Sequence, residues 1–236
     1  MEGLVPAKPY RTKEEYIYDS LRTAILECRL APGEKLVIDQ LSGVFGVSAI
    51  PIRSALQRLE VEGLVRIVPH AGAEVSEISS EMVAEIFALM EALERVAVSF
   101  AVERATPSDL AELGIRVAQM EQACSEGDVN VWSDLNARFH VKLAEVSRLD
   151  LLSRFVSTTF DYWGRLRRRY LREMVGDILA AQQDHHLMLK LLAEGRAEEL
   201  ANLVAVHHRR SKDYYLRVMP PAAAAGNSGD DKRPEA

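Results

Sequence analysis

This 236-residue chain has only two cysteines, few aromatic residues and no surplus of positive charge. Cys28 and Cys124 lie far apart and offer no disulfide framework, which fits a reducing compartment. No apolar run reaches the roughly 20 residues that cross a bilayer, so no transmembrane helix organises the fold. Met1–Tyr10 lack the charged-then-apolar pattern of a secretory signal, and the expectation is a cytoplasmic chain with no membrane partner. The net charge of −6 excludes a protein that coats nucleic acid by bulk positive charge. Even residues 1–78 hold slightly more acidic than basic side chains. Any contact with DNA must rest on basic residues placed locally on one face.

What the chain does have is helical patterning with two distinct characters. Thr12 followed by Glu15 forms a capping box that opens a first helix, and Pro32-Gly33 ends it. Asp39 opens a short second helix closed by Gly46. Ser48 caps a third that reaches Glu62 and stops at Gly63, with Pro51 early enough to be tolerated. Val65–Val68 and Glu74–Ser76 are β-prone runs flanking Pro69–Ala73, a hairpin signature. From residue 79 the pattern changes to six long helices with short links, a bundle through residue 218. Residues 219–236, rich in Ala, Gly, Asp and Pro, are expected to form a disordered tail. The fold expected is mainly α: a winged helix-turn-helix over 1–78 and an all-helical bundle of about six helices over 79–218.

In the N-terminal part, Gly46-Val47-Ser48 supplies the tight turn a helix-turn-helix requires. Ile52, Leu56 and Leu59 share the inward face of the following helix, while Arg53 and Gln57 share another. Ser48, Ala49 and Ile50 sit at its leading end, where early side chains reach base edges. Pro32–Leu36, Gly46–Ser48, Pro51–Leu56 and Leu59–Val65, in this order and spacing, resemble the GntR family of repressors. That resemblance implies DNA contacts from Ser48, Ile50, Arg53 and Arg58, with His70 and Gly72 in the wing. Ala49 and Ile50 stand where the family usually carries Arg and Thr, which implies altered base preference. Ile50 suits a thymine methyl.

In the bundle, His140 follows Asn136 by one helical turn, so both project from one face. His185 is in register with Ile178, Leu189 and Leu192, and His207 with Leu200 and Leu203. By the same geometry His186 and His208 turn away. Three helices thus each aim one imidazole inward, an environment suited to Zn²⁺ or Ni²⁺. Asn136–His140, Asp184-His185 and His207 resemble the ligand pattern of the FCD domain, whose first ligand is usually Asp rather than Asn136. The resemblance implies a divalent metal whose open positions take a small, carboxylate-like effector, and a homodimer bound to a palindromic operator. Tyr162, Arg165 and Arg169 are candidates for orienting that effector. Two other readings stay open: a metal-dependent hydrolase built on the three histidines, and a metal-free acyl-CoA-type sensor.

Overall fold

The computed structural model describes residues 12–69, 71–170 and 175–219. His70 and residues 220–236, assigned above to the wing and the tail, lie outside the described residues. No helix among the described residues is long and apolar enough to cross a membrane. The chain divides into two compact units, one from residues 1–78 with Ser157–Arg169, the other from the remainder.

The first unit is built from α1 (Lys13–Leu26), β1 (Lys35–Leu36), α2 (Ile38–Phe45), α3 (Ala49–Val61), β2 (Val65–Val68) and β3 (Gly72–Val75). Thr12 and Glu15 exchange hydrogen bonds at 2.8 and 3.1 Å, satisfying two donors left open at the start of α1. The helix stops at Leu26, before Pro32-Gly33 is reached, because Cys28 takes a left-handed φ of +56°. Gly46, at φ +63°, turns α2 into α3. Ile17, Leu21 and Ile25 of α1 interlock with Ile52, Leu56 and Leu59 of α3, all 4% exposed or less. Six such side chains removed from water contribute about 1.5–3 kcal/mol each.

The wing has three strands rather than two, in the order β1-β3-β2. The added strand β1 pairs Leu36 with Ala73, and Ala73 pairs with Ile67 on its other side. Two residues have no period to read, so β1 is defined by its partner and not by its own pattern. Gly72, expected in the wing, is the start of β3, opposite Val68. Gly72 has φ +104°, and a Cβ there would lie 2.4 Å from the Leu36 carbonyl oxygen. Backbone crowding by β1 therefore demands the glycine.

Residues 157–169 belong to this first unit, whereas the sequence pattern assigned all of 79–218 to the bundle. They form the second half of α7 (Asp150–Tyr170). Tyr162 packs on the α1–α3 core and donates to the Glu62 carbonyl at the end of α3, at 2.9 Å. Arg165, only 1% exposed, donates to the Ser76 carbonyl, and Arg168 to the Leu26 carbonyl at 3.1 Å. Arg22 reaches both Glu62, at 2.8 Å, and Asp161, at 3.3 Å. Carbonyls left open at two helix ends thereby find donors.

The second unit holds α4 (Ser80–Arg104), α5 (Pro107–Ser125), α6 (Val129–Val146), residues 150–156 of α7, α8 (Val175–Ala193) and α9 (Ala197–Val218). Its core includes Val98, Leu113, Met120, Phe139, Met188, Leu200 and Val204. The α5 start is fixed by Thr106 and Asp109 in a capping box with Pro107 at its first turn. The Asp109 carboxylate also meets Arg148 at 2.5 Å and Lys142 at 3.5 Å, both from α6 or its end. The Thr106 hydroxyl, working against burial and helped by the Thr106 amide and Arg148, holds the Asp109 carboxyl down at about 2.

Two stability measurements follow. Gly72→Ala is expected to cost about 2–4 kcal/mol in denaturant unfolding, through strained φ and a backbone clash. Gly63→Ala, left-handed at φ +70° but with nothing within 4 Å, costs only about 1 kcal/mol. Equal losses would remove the crowding argument. Asp109→Ala should cost about 1–2 kcal/mol at neutral pH through the lost cap and ion pairs. Because the folded carboxyl titrates below its unfolded value of about 3.9, this contribution is present above about pH 4 and fades as the pH falls towards 2. Melting curves of wild type and Asp109→Ala should therefore converge over that range, and a constant difference would refute it.

Candidate functional site

At the leading end of α3, Ser48 is an exposed N-cap whose side chain makes no cap hydrogen bond. Ile50 is 78% exposed. Arg53 and Gln57, one turn apart, line a groove of about 430 Å³ that Val68, Ala71 and Gly72 bound from the hairpin side. Arg53 has no hydrogen-bond or ion-pair partner among the described residues, so its guanidinium is available to a ligand in that groove. Arg58 is different. Five positions along, it is rotated by about 140° and stacks over the Tyr18 ring at 3.8 Å, with Glu14 at 3.6 Å. It braces α3 against α1, a structural role that its expected place among the DNA contacts did not include.

In the bundle, His140 from α6, His185 from α8 and His207 from α9 converge, with ring centroids 5.0–5.2 Å apart. All three are buried, and one nitrogen from each lies within 4.8 Å of the others. His140 Nε2 and His185 Nε2 stand 3.2 Å apart. Two nitrogens on a tetrahedral ion, each about 2.0–2.1 Å from it, are separated by about 3.3 Å, so the spacing fits a shared cation. Asn136, one turn before His140 and 5% exposed, keeps its Oδ1 buried with no hydrogen-bond partner among the described residues. A buried oxygen of that kind costs about 1–3 kcal/mol unless a partner arrives. These donors fit a divalent metal.

Carboxylates stand behind two of the rings. Glu94 of α4 places Oε2 2.9 Å from His140 Nδ1, and Asp184 of α8 places Oδ2 3.0 Å from His207 Nδ1. Each acceptor orients a ring so that its Nε2 faces inward, the arrangement typical of histidine ligands. Burial holds the His207 ring down at about 4 despite Asp184. Burial and the neighbouring imidazoles hold His185 well below its usual value. Both rings are therefore neutral near pH 7 and keep a lone pair for a ligand. Burial pushes the Glu94 carboxyl up, but His140 and His208 outweigh it and hold it below the usual carboxylate range.

His208 is the residue that helical-wheel reasoning missed. Expected to turn away, it is 1% exposed and reaches Glu94 Oε2 through Nε2 at 2.9 Å. It falls in line with Val204, Ser211 and Tyr215, a second buried stripe of α9 beside the one carrying His207. Glu94 was missed with it. The signal for both lay in α4 and α9 being buried over a wide arc, which a single inward face does not capture. His186 remains on the exposed side, paired with Glu121 at 3.0 Å. Tyr162, Arg165 and Arg169, expected near the effector, belong instead to the unit that contains α3. Tyr162 and Arg165 are engaged there with backbone carbonyls, which corrects their expected role.

With this geometry in place, comparison with known proteins is specific. Residues 85–210 match the FCD domain, and residues 13–75 match the family described as bacterial regulatory proteins, gntR family. The chain belongs to the GntR family of DNA-binding regulators, in the group that carries an FCD domain, and not to a family of enzymes. It is similar to the HTH-type transcriptional regulator McbR of Escherichia coli (strain K12), 29% identical over 167 residues that cover 69% of this chain and 74% of that protein. It is similar also to the HTH-type transcriptional repressor RspR of the same organism, 29% identical over 143 residues, 61% of this chain and 63% of that one. The solved structure of E. coli McbR/YncC matches with a TM-score of 0.70 at 23% identity, over 87% of this chain and 98% of that one, a likeness of fold. The hydrolase reading of the histidines is set aside on this family membership.

Proposed function

We propose that the chain is a metal-dependent, effector-responsive repressor that acts as a cytoplasmic homodimer on a palindromic DNA operator. The observation that carries the DNA half is Arg53, unpartnered among the described residues at the groove between α3 and the hairpin. Ser48 and Ile50 extend the same edge, and Ile50 offers an apolar surface to a thymine methyl. Repression follows the role of the similar protein RspR, a transcriptional repressor.

In the sensing half, His140, His185 and His207 with Asn136 would hold a divalent cation such as Zn²⁺ or Ni²⁺. When bound, the metal supplies a Lewis-acidic centre with positions left for a small anionic effector. All four donors are neutral, so no protein ligand of this set offsets the ion's charge, which favours an anion as the completing group. Glu94 and Asp184 fix the rings from behind. The acyl-CoA alternative has no comparable support, since it leaves three converging imidazoles and the orphaned Asn136 Oδ1 without a purpose. Effector and operator would influence each other reciprocally, as any coupled pair of ligands must.

Arg53→Ala should weaken operator binding about 10- to 100-fold, the loss of a base or phosphate contact. Arg58→Ala should lower thermal stability and leave the affinity of the folded protein within about threefold. Fluorescence anisotropy with operator DNA, alongside melting curves, separates the two, and equal losses of affinity would refute the division. For the metal, calorimetry should find about one Zn²⁺ per chain. His185→Ala should weaken Zn²⁺ binding by at least about tenfold, and unchanged affinity would overturn the three-histidine centre.

A further inference from the structure

Glu94, His140 and His208 form a second constellation beside the first. All three are buried, and one donor atom from each lies within 4.8 Å of the others. Glu94 Oε2 stands 2.9 Å from His140 Nδ1 and 2.9 Å from His208 Nε2. Its other oxygen, Oε1, is buried with no hydrogen-bond partner among the described residues. A fully buried carboxylate normally has both oxygens satisfied, so one oxygen crowded with two contacts beside one left bare is an unbalanced arrangement. A cation chelated by both oxygens of this carboxylate and met by the two ring nitrogens would balance it. Ligands about 2.1 Å from an ion and at right angles are about 3.0 Å apart, close to the two 2.9 Å separations.

We infer that Glu94, His140 and His208 form an alternative position for a divalent cation, mutually exclusive with the one at His140, His185 and His207. The exclusion follows from the shared ring. A carboxylate only accepts, so without a cation His140 Nδ1 and His208 Nε2 both carry protons that point at Glu94 Oε2. That leaves the His140 Nε2 lone pair facing His185, available to the first position. For a cation to bind at Glu94, His140 must shift its proton from Nδ1 to Nε2, and His208 from Nε2 to Nδ1. Each ring moves one proton between its own two nitrogens, so no proton is lost. His140 Nε2 then carries a hydrogen 3.2 Å from His185 Nε2, becomes a donor to it, and can no longer ligate there. One ion therefore occupies one position or the other.

The two positions differ in chemistry. The first offers imidazoles and a neutral amide oxygen, which suits Zn²⁺ or Ni²⁺. The second offers two imidazoles and a carboxylate, with an anionic oxygen that suits harder ions such as Mn²⁺ or Fe²⁺. The identity of the metal thus selects the position, and with it the tautomer of His140. This goes beyond the three-histidine reading, and the two stand or fall on different variants.

The test is Mn²⁺ binding to the full chain, stripped of metal with chelator and titrated by calorimetry and by the loss of the free Mn²⁺ resonance signal. His208→Ala and Glu94→Gln should each weaken Mn²⁺ binding at least about tenfold, and clearly more than His185→Ala, which removes only the acceptor of the His140 Nε2 hydrogen. His208→Gln, which keeps a polar side chain of similar bulk, should weaken it as His208→Ala does, and guards against a simple folding defect. Circular dichroism confirms that each variant is folded. Mn²⁺ affinity that depends on His185 as strongly as on His208 would overturn the alternative position and leave the first intact. Mn²⁺ affinity indifferent to both His208 and Glu94 would overturn it as well.

Discussion

A charged carboxylate taken out of water is expensive, and Glu94 is 1% exposed in the middle of the bundle. It is tolerated because α6 and α9 each bring it an imidazole at 2.9 Å. Three helices thereby meet around one negative charge, and much of the site's chemistry descends from it. The carboxylate sets which nitrogen of His140 is protonated, and so which nitrogen is a ligand. Asp184 does the same for His207, with Arg210 as its second partner at 2.8 Å. Among the described residues His185 has no such acceptor, and its buried Nδ1 has no hydrogen-bond partner. Of the three inward rings, it is the one whose orientation is fixed by packing, against Phe139 and Trp132, rather than by a carboxylate.

In the unit that reads DNA, placement likewise separates residues of one type. Arg53 and Arg58 lie on the same helix, yet one faces an open groove and the other an aromatic ring. Arg165 is more buried than either, and its role is to satisfy the carbonyl of Ser76. A guanidinium in such a setting is a structural donor: removing it leaves a buried acceptor bare, with a penalty of about 1–3 kcal/mol. None of these three arginines takes its role from charge alone.

Much of this was legible in the sequence, and the illegible parts share a cause. The α2–α3 turn was readable because Gly46 and Ser48 impose local geometry, and Ile52, Leu56 and Leu59 repeat at helical spacing. The bundle helices were expected from long helical patterning with short links. His140, His185 and His207 were found because each lies on the dominant apolar stripe of its helix. Glu94 and His208 were not, because a glutamate in a long helix reads as solvated and a second buried stripe on α9 depends on neighbours that no local pattern names. The same limit hid β1, two residues long, and the placement of Tyr162 and Arg165, whose partners lie about 90 to 100 residues away. Local signals identify elements, whereas the partner that satisfies a polar atom is a tertiary fact.

The ring of His140 offers the most direct test of Glu94 as the organising charge. Long-range ¹H–¹⁵N correlation spectra of the metal-free protein, with His140 assigned by its absence in a His140→Gln variant, report which ring nitrogen carries the proton. A proton on Nδ1 with Nε2 unprotonated is the result expected if the Glu94 carboxylate holds the ring. A neutral His140 with its proton on Nε2 would contradict it.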